Sequence, residues 1–240
     1  MRRRHFAGWL AGALLARPLL AVAQSPAPPP SPEPKPAPAE APVDLALVLL
    51  VDASASITTG ALDFQLRGHA AAFRDDKVKA AIAAGPRGGI AVTLARFDGP
   101  HSLKVLLPWR RLATAAEADA FAEAVLAAPA GQEAGSTAIG SAVLDALELF
   151  KGSGFDSPRR TIDIVSNGFS NAGVDPALAR DTAEAAHVTV NALVILDEYD
   201  WLEGYYRQQV IGGIGAFVRT AEGRDSFIQA LIAKLIDEIV

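Results

Sequence analysis

Cysteine is absent from all 240 residues of the chain. Its absence excludes disulfide bonds, thiol nucleophiles, metal sites with thiolate ligands and anchoring through a lipidated cysteine. Histidine is scarce as well. His69, His101 and His187 share no spacing, so we predict that each is a surface or helix-end residue and not a metal ligand or a base. Neither a Ser-His-Asp set nor a G-x-S-x-G motif is visible, which argues against a serine hydrolase.

The first 23 residues have the pattern of an export signal. A basic start, Arg2 to Arg4, precedes an apolar stretch of 11 residues, Phe6 to Ala16, and Ala21-Val22-Ala23 forms an A-x-A cleavage site. The apolar stretch is too short to span a bilayer. Arg3-Arg4 with Arg17 fits a twin-arginine (Tat) signal, and an ordinary secretion (Sec) signal fits equally well. We therefore predict a periplasmic or secreted product with no membrane insertion after cleavage.

Residues 24–42 are predicted to be a proline-rich, disordered linker. Nine of the 18 residues from Ser25 to Pro42 are proline, and almost nothing apolar there is larger than alanine. The remaining residues, 43–240, are enough for one domain with one core. Residues 1–23 contain four arginines and no acidic residue, so the rest of the chain has 18 basic and 27 acidic residues and a net charge of about −9. This charge argues against nucleic acid or anionic lipid as a partner.

Hydrophobic patterning predicts an alternation of strands and helices. Leu45 to Val51 is a continuous apolar run, as expected for a strand covered on both faces. Turn residues at 98–101 join two strand-like runs and predict a hairpin, and hence one antiparallel edge strand. The order of elements predicts a doubly wound, mostly parallel six-stranded sheet with helices on both faces. The predicted strands are 45–51, 89–97, 103–109, 161–165, 188–196 and 215–219. The predicted helices are 60–84 in one or two pieces, a helix capped by Thr114, a helix with Ile139 to Phe150 inward, and 176–186, 201–209 and 225–240.

Three loops at the predicted carboxyl edge of this sheet carry oxygen-bearing side chains. They are Asp52, Ser54 and Ser56 in the first loop, Ser136 and Thr137 in the second, and Ser166, Asn167 and Asn171 in the third. Open α/β sheets bind ligands at this edge, and hard oxygen donors suit Mg²⁺, with Mn²⁺ and Ca²⁺ as alternatives. Serine and threonine after a strand also commonly cap the next helix. Three such loops in order favour the metal site.

These motifs resemble the metal-ion-dependent adhesion site (MIDAS) of von Willebrand factor A domains. The residues that carry the resemblance are the D-x-S-x-S of 52–56, Gly135-Ser136-Thr137 and the strand end Ser166-Asn167-Gly168. More closely, the chain is similar to a family of exported bacterial proteins of unknown function with this Rossmann-like, von Willebrand A-like fold. The matching stretches are VDLALVLLVDASAS, Pro108-Trp109, GSTAIGSA and YYRQQVIGGIGAFV. The resemblance covers residues 43–240.

The resemblance implies a ligand set for the metal. It gives the hydroxyl roles to Ser54, Ser56 and Thr137, the carboxylate role to Asp52, and the third-loop position to Asn167. That position usually holds aspartate, so the site loses one negative charge and is expected to bind metal more weakly. Asp163, four residues earlier on the same strand, is expected to lie too deep to replace it.

The implied function is an exported, divalent-metal-dependent protein-binding module and not an enzyme. A neutral-oxygen site leaves its cation under-neutralised, so an exposed Asp or Glu of a protein partner would complete the coordination. One alternative is a metal-dependent phosphohydrolase, although that chemistry normally needs a second carboxylate at the position of Ser54. The other is a scaffold with a degenerate site. Tyr199, Trp201, Tyr205 and Tyr206 are expected to pack a short helix onto the sheet, with an interface as the alternative.

Overall fold

The strand that begins at Leu45 lies at the centre of the fold. The computed structural model describes residues 41–54, 59–129 and 135–240, with the backbone alone at 59 and 224, and all of these residues belong to one compact unit, Pro38–Val240. Every residue of the central strand is buried, as its continuous apolar pattern predicts. The predicted signal and nearly all of the predicted linker lie outside the described residues.

The main sheet contains six strands, which are β2 (Leu45–Asp52), β3 (Ile90–Phe97), β4 (Lys104–Leu112), β6 (Arg160–Ser166), β7 (Thr189–Ile195) and β8 (Val218–Ala221). They lie side by side in the order β4-β3-β2-β6-β7-β8. Only the pair of β3 and β4 is antiparallel, so the fold class predicted above is confirmed. A separate two-stranded parallel pair consists of β1 (Ala41–Pro42) and β5 (Phe155–Asp156).

Helices cover both faces of the main sheet. They are α1 (Thr59–Arg74), α2 (Asp76–Ala84), α3 (Ala115–Leu126), α4 (Ile139–Phe150), α5 (Pro176–Ala185), α6 (Leu202–Tyr205) and α7 (Arg224–Ile239), and a π-helical segment at Tyr206–Val210 follows α6. Alternate residues of β2 divide the core. Leu47 and Leu49 pack with α1, α2, α3 and α7, whereas Val48 and Leu50 pack with α4 and α5. Burial on both faces fixes the register of the strand, because a shift by one residue would exchange the two faces.

Local sequence signals explain several helix ends. Asp75 accepts a hydrogen bond from the backbone of Lys77 at 2.8 Å and starts α2, so the predicted 60–84 segment is two helices. The capping box predicted at Thr114 is present, with Glu117 as its partner. Asp175 caps α5, which has proline in its first turn.

The last strand differs from its predicted position. We predicted 215–219, whereas β8 is Val218–Ala221. Gly213 and Gly215 have φ values of +97° and +73°, which extended strands do not use, so the chain turns there before it pairs with β7. β1 was not predicted as a strand, and it lies in the last two residues of the predicted linker.

Candidate metal centre at the carboxyl edge of the sheet

The carboxyl ends of β2 and β6 bring two predicted site residues together. The two strands are parallel neighbours with Val51 opposite Val165, so their last residues, Asp52 and Ser166, lie side by side. The Ser166 hydroxyl donates a hydrogen bond to Asp52 Oδ2 at 2.5 Å. The backbone N–H of Ser54 donates to Asp52 Oδ1 at 2.8 Å. Both oxygens of this carboxylate are therefore held in fixed positions.

Asp52 is fully buried at the base of the site. Burial raises the pKa of its carboxyl group, because the charged form loses its hydration. The hydrogen bonds from Ser166 and Ser54 oppose this effect, and the nearby charge of Asp98 adds to it. A buried carboxylate in this setting is stabilised by an additional positive charge.

The first and second loops meet through two hydroxyl groups. Thr137 Oγ1 donates to Ser54 Oγ at 3.1 Å, and both residues are buried. The third loop holds Thr137 in place, since its N–H donates to Asn171 Oδ1 at 2.9 Å and its carbonyl accepts from the N–H of Asn171 at 2.9 Å. The structure thus brings Asp52, Ser54, Thr137 and Ser166 to one place.

Asn167 follows Ser166 directly and has a divided hydrogen-bonding pattern. Its amide nitrogen donates to Asp197 Oδ1 at 3.4 Å. Its amide oxygen is buried and finds no hydrogen-bond partner among the described residues. A buried oxygen of this kind raises the free energy of the folded state unless a group outside the protein chain, such as a water molecule or a cation, binds it.

Ser56, a predicted ligand, lies outside the described residues. Ser136 is half-buried at the entry to the second loop. Gly135 before it packs so closely against the backbone of Asp98 that a Cβ atom would lie 1.5 Å from the Asp98 carbonyl oxygen. Only glycine fits at this contact between the second loop and the end of β3.

Two acidic residues near the site were not among the predicted candidates. Asp98 directly follows β3, is buried and pairs with Arg96 at 3.1 Å. We assigned it only to a turn, although its position after a strand was a usable signal. Asp197 lies two residues after β7 and contacts Asn167. No pattern in the sequence predicted that contact, because it depends on where two strands end relative to each other.

Asp163 lies deep in the sheet, as expected, and faces α7. Its carboxylate pairs with Lys234 at 2.5 Å, and Lys234 pairs with Glu238 at 2.5 Å; Asp163 and Lys234 have no exposed surface.

The prediction that His69 is a surface or helix-end residue was wrong. It is fully buried inside α1, where its Nδ1 lies 2.8 Å from the carbonyl oxygen of Gln65, and burial lowers the pKa of its imidazole.

An aromatic group lies beside the third loop. Phe169, two residues after Asn167, contacts Tyr199 and Trp201 with ring centroids 5.7 and 5.5 Å apart. Trp201 is about half exposed, whereas Tyr206 is fully buried and its hydroxyl donates to the carbonyl oxygen of Gly168 at 3.0 Å. Packing against the sheet therefore accounts for Tyr206, while Phe169 and Trp201 present rings to solvent.

In the described part of the chain, no group of three or more His, Asp or Glu side chains is placed to hold a metal ion. Within residues 41–54, 59–129 and 135–240, no helix combines the length and apolar character needed to cross a membrane.

Solved structures with the same fold include a mussel matrix protein and bacterial adhesion proteins. Proximal thread matrix protein 1 from the mussel byssus is 20% identical over 83% of this chain and 49% of its own length, with a TM-score of 0.61. Another structure of it, with a zinc-occupied MIDAS motif, is 19% identical over 83% and 48%, with a TM-score of 0.55. The chain thus spans about half of the mussel protein.

Two bacterial structures agree with this fold. The von Willebrand factor type A protein from Catenulispora acidiphila is 15% identical over 82% of this chain and 43% of its own, with a TM-score of 0.59. The pilus adhesin SpaC from Lactobacillus rhamnosus GG is 15% identical over 82% and 31%, with a TM-score of 0.58. At these identities the likeness shows the fold alone, which is von Willebrand A-like.

A comparison with curated proteins found no match. A family model described as "Protein of unknown function (DUF1194)" matches residues 42–240, which is nearly all of the described structure. With its von Willebrand A-like fold and a polar site at the carboxyl edge of the sheet, this chain belongs to the DUF1194 family.

Proposed function

We propose that this protein is an exported binding module that captures a protein partner through a divalent cation. The observation that carries the proposal is the arrangement at the carboxyl edge. The Ser54 and Thr137 hydroxyl oxygens lie 3.1 Å apart, next to the buried carboxylate of Asp52. Asn167, directly after β6, has a buried amide oxygen without a partner in the described chain. Each of these groups gains from a cation placed among them.

The hydroxyl spacing fits the coordination sphere of a small hard cation. Mg²⁺ binds oxygen at roughly 2.1 Å in octahedral geometry, so two adjacent ligands lie about 3.0 Å apart. The 3.1 Å between Ser54 Oγ and Thr137 Oγ1 matches this separation without movement of either side chain. The residues present therefore fit a magnesium ion, and Mn²⁺ and Ca²⁺ have the same preference for oxygen.

In this proposal each predicted ligand has one role. Ser54, Ser56 and Thr137 provide hydroxyl oxygens, Asn167 provides its amide oxygen, and Asp52 provides the one negative charge, directly or through water. A divalent cation in this setting retains about one unit of positive charge. When bound, it supplies a Lewis-acidic position that attracts an Asp or Glu carboxylate of the partner.

The surroundings of the site favour a macromolecular partner. The exposed rings of Phe169 and Trp201 lie next to the third loop, and aromatic side chains are enriched in protein interfaces. The predicted linker 24–42 would act as a semi-rigid tether, and the predicted export signal would place the module in the periplasm or outside the cell.

The phosphohydrolase alternative has less support. It requires a general acid two residues after Asp52, and that position is Ser54, whose side chain pairs with Thr137. Phosphoester turnover that disappears in Asp52→Asn would nevertheless favour it.

Thermal unfolding with added metal tests the proposal. Mg²⁺ or Mn²⁺ at 100 times its dissociation constant stabilises the folded state by about 2.7 kcal/mol, which for a domain of this size raises the Tm by roughly 5–10 °C. We expect Asp52→Asn to abolish the rise in Tm. The control is Asp63→Asn, because Asp63 is a surface acid on α1 that pairs with Arg67, and this variant should retain the rise. No shift with Mg²⁺, Mn²⁺, Ca²⁺ or Zn²⁺ would favour the scaffold without a working site.

A further inference from the structure

We propose that Asp197 is a positioning residue of the metal site, which turns the amide oxygen of Asn167 toward the cation and supplies the negative charge that asparagine lacks. This inference rests on the proposed function. It addresses the one position at which the chain departs from the adhesion-site pattern. The chemistry is that of a divalent cation whose third-loop ligand is an amide supported by a carboxylate behind it.

Asp197 fixes the orientation of the Asn167 amide. A carboxylate only accepts hydrogen bonds, so the NH₂ end of the amide must face Asp197 Oδ1, which lies 3.4 Å from Nδ2. The oxygen end is then directed away from Asp197. There it is buried and has no protein partner within the described residues. Without Asp197, the two ends of the amide could exchange, and the nitrogen would repel a cation.

The topology of the sheet places Asn167 and Asp197 next to each other. β6 and β7 are parallel neighbours, with Ser166 opposite Val194. Asn167 is the first residue after β6 and Asp197 the second after β7, so both emerge at the same edge of the sheet. The sheet itself therefore keeps the amide and the carboxylate together.

Asp197 also adds negative charge close to the predicted ligands. Asp52 is the one carboxylate among the five predicted ligands, and Asp197 adds a second negative charge just behind a ligand. A carboxylate that accepts from an amide N–H also polarises the amide, so its oxygen becomes a better ligand. Partners of this kind behind a ligand typically change metal affinity by about 10–100-fold.

Other acidic residues near Asp197 require a control. Together with Glu198, Asp200, Glu222 and Tyr199, it lines a cavity of about 650 Å³. Their combined field attracts any cation, whatever the orientation of Asn167. Asp200→Asn removes one charge from the same loop, and no hydrogen bond connects Asp200 to Asn167 in the described structure, so it measures the field alone.

Mn²⁺ titration of the purified protein tests the inference by calorimetry. We expect Asp197→Asn to weaken Mn²⁺ binding about 10-fold or more, and Asp197→Ala to weaken it further because the hydrogen bond is lost as well. Asp200→Asn should change the affinity by less than about 3-fold, as expected for a screened surface charge. The Tm without metal should stay close to that of the wild type in Asp197→Asn and Asp200→Asn, which separates positioning of the ligand from damage to the fold. Asp197→Ala leaves the buried Asn167 nitrogen without this partner, so a lower Tm without metal is expected for that variant.

An exchange of the two residues provides the sharpest readout. Asn167→Asp alone places two carboxylates together and should lower the Tm without metal. Asn167→Asp with Asp197→Asn restores one amide and one carboxylate, so it should recover the Tm and bind Mn²⁺ at least as tightly as the wild type. Strictly additive effects of the two substitutions, or equal Mn²⁺ affinities of Asp197→Asn and Asp200→Asn, would overturn the role of Asp197. The proposed function would still stand if the wild type binds Mn²⁺ and this binding depends on Asp52. A wild type that binds no Mn²⁺ would overturn both.

Discussion

The buried charges between β6 and α7 make the stability of this protein depend on pH in a calculable way. Lys234 lies between two carboxylates, Asp163 and Glu238, each 2.5 Å from its ammonium group, so one negative charge is unmatched. Burial, followed by the charge of Asp163, raises the pKa of Glu238 from 4.5 to about 7. In the unfolded chain Glu238 ionises near 4.5, so between these two values the folded state holds a proton that the unfolded state has lost.

Glu238 therefore stabilises the folded state more at low pH than at high pH. Because the folded state binds the extra proton, the contribution of Glu238 to stability is complete below about pH 4.5 and falls as the pH rises to about 7. A difference of 2.5 pKa units corresponds to roughly 3 kcal/mol, at 1.36 kcal/mol per unit. We expect Glu238→Gln, which resembles the protonated form, to exceed the stability of the wild type by less than about 1 kcal/mol at pH 5 and by about 3 kcal/mol at pH 8.

Urea unfolding at pH 5, 6, 7 and 8 measures this effect. The difference between the variant and wild-type curves is the informative quantity, because the raised pKa of Asp52, whose causes do not include Glu238, affects both curves alike. Glu203→Gln is the matched control, since Glu203 pairs with Arg207 on the surface and should give a flat difference. Parallel curves for Glu238→Gln and the wild type, or a variant that is less stable at pH 8, would refute this account of the buried charges.

Two further predictions concern helix packing and the ligand of the metal. Gly68→Ala should destabilise the protein by about 1–3 kcal/mol, because its Cβ would lie 2.3 Å from the Phe227 ring. Gly204→Ala has open space around it and should be neutral or stabilise the protein by about 0.5–1 kcal/mol. Urea unfolding compares the two variants, and equal effects would contradict the packing argument. Acetate should tighten the apparent binding of Mn²⁺, because its carboxylate imitates that of the partner, whereas acetamide should not. Calorimetry measures the Mn²⁺ affinity in each additive, and identical affinities would argue against an open coordination position.

The predictable part of the fold came from patterns that depend on neighbouring residues. The continuous apolar run of Leu45 to Val51 identified the central strand, and the spacing of Thr114 and Glu117 identified a helix start. β8 was misplaced because the apolar residues at 215–219 do not reveal that Gly213 and Gly215 adopt positive φ. The segments of β1 and β5 contain two residues each and have no periodicity to detect.

Buried polar residues were harder to predict, although the sequence held a partial signal. His69 lies three residues after Leu66 and four before Phe73, so it shares the inward face of α1. Lys234 occupies the same kind of position relative to Leu231 on α7, and Asp163 interrupts an apolar strand. Helical spacing predicts that such residues are buried. It does not predict that residues 71 positions apart, Asp163 and Lys234, satisfy each other, because that pairing depends on how α7 crosses the sheet.

The substitution at position 167 links the metal to the partner. A site with one carboxylate among its predicted ligands binds a divalent cation less tightly than a site with two, and it leaves more positive charge for an incoming acidic group. If the partner increases the affinity of the site for the metal by some factor, the metal must increase the affinity for the partner by the same factor. Asp197 lies behind the amide and is not itself among the predicted ligands, so it replaces only part of the missing charge. Asparagine at position 167 therefore favours a module in which cation and partner bind together, and in which the metal is held less tightly until an acidic partner arrives.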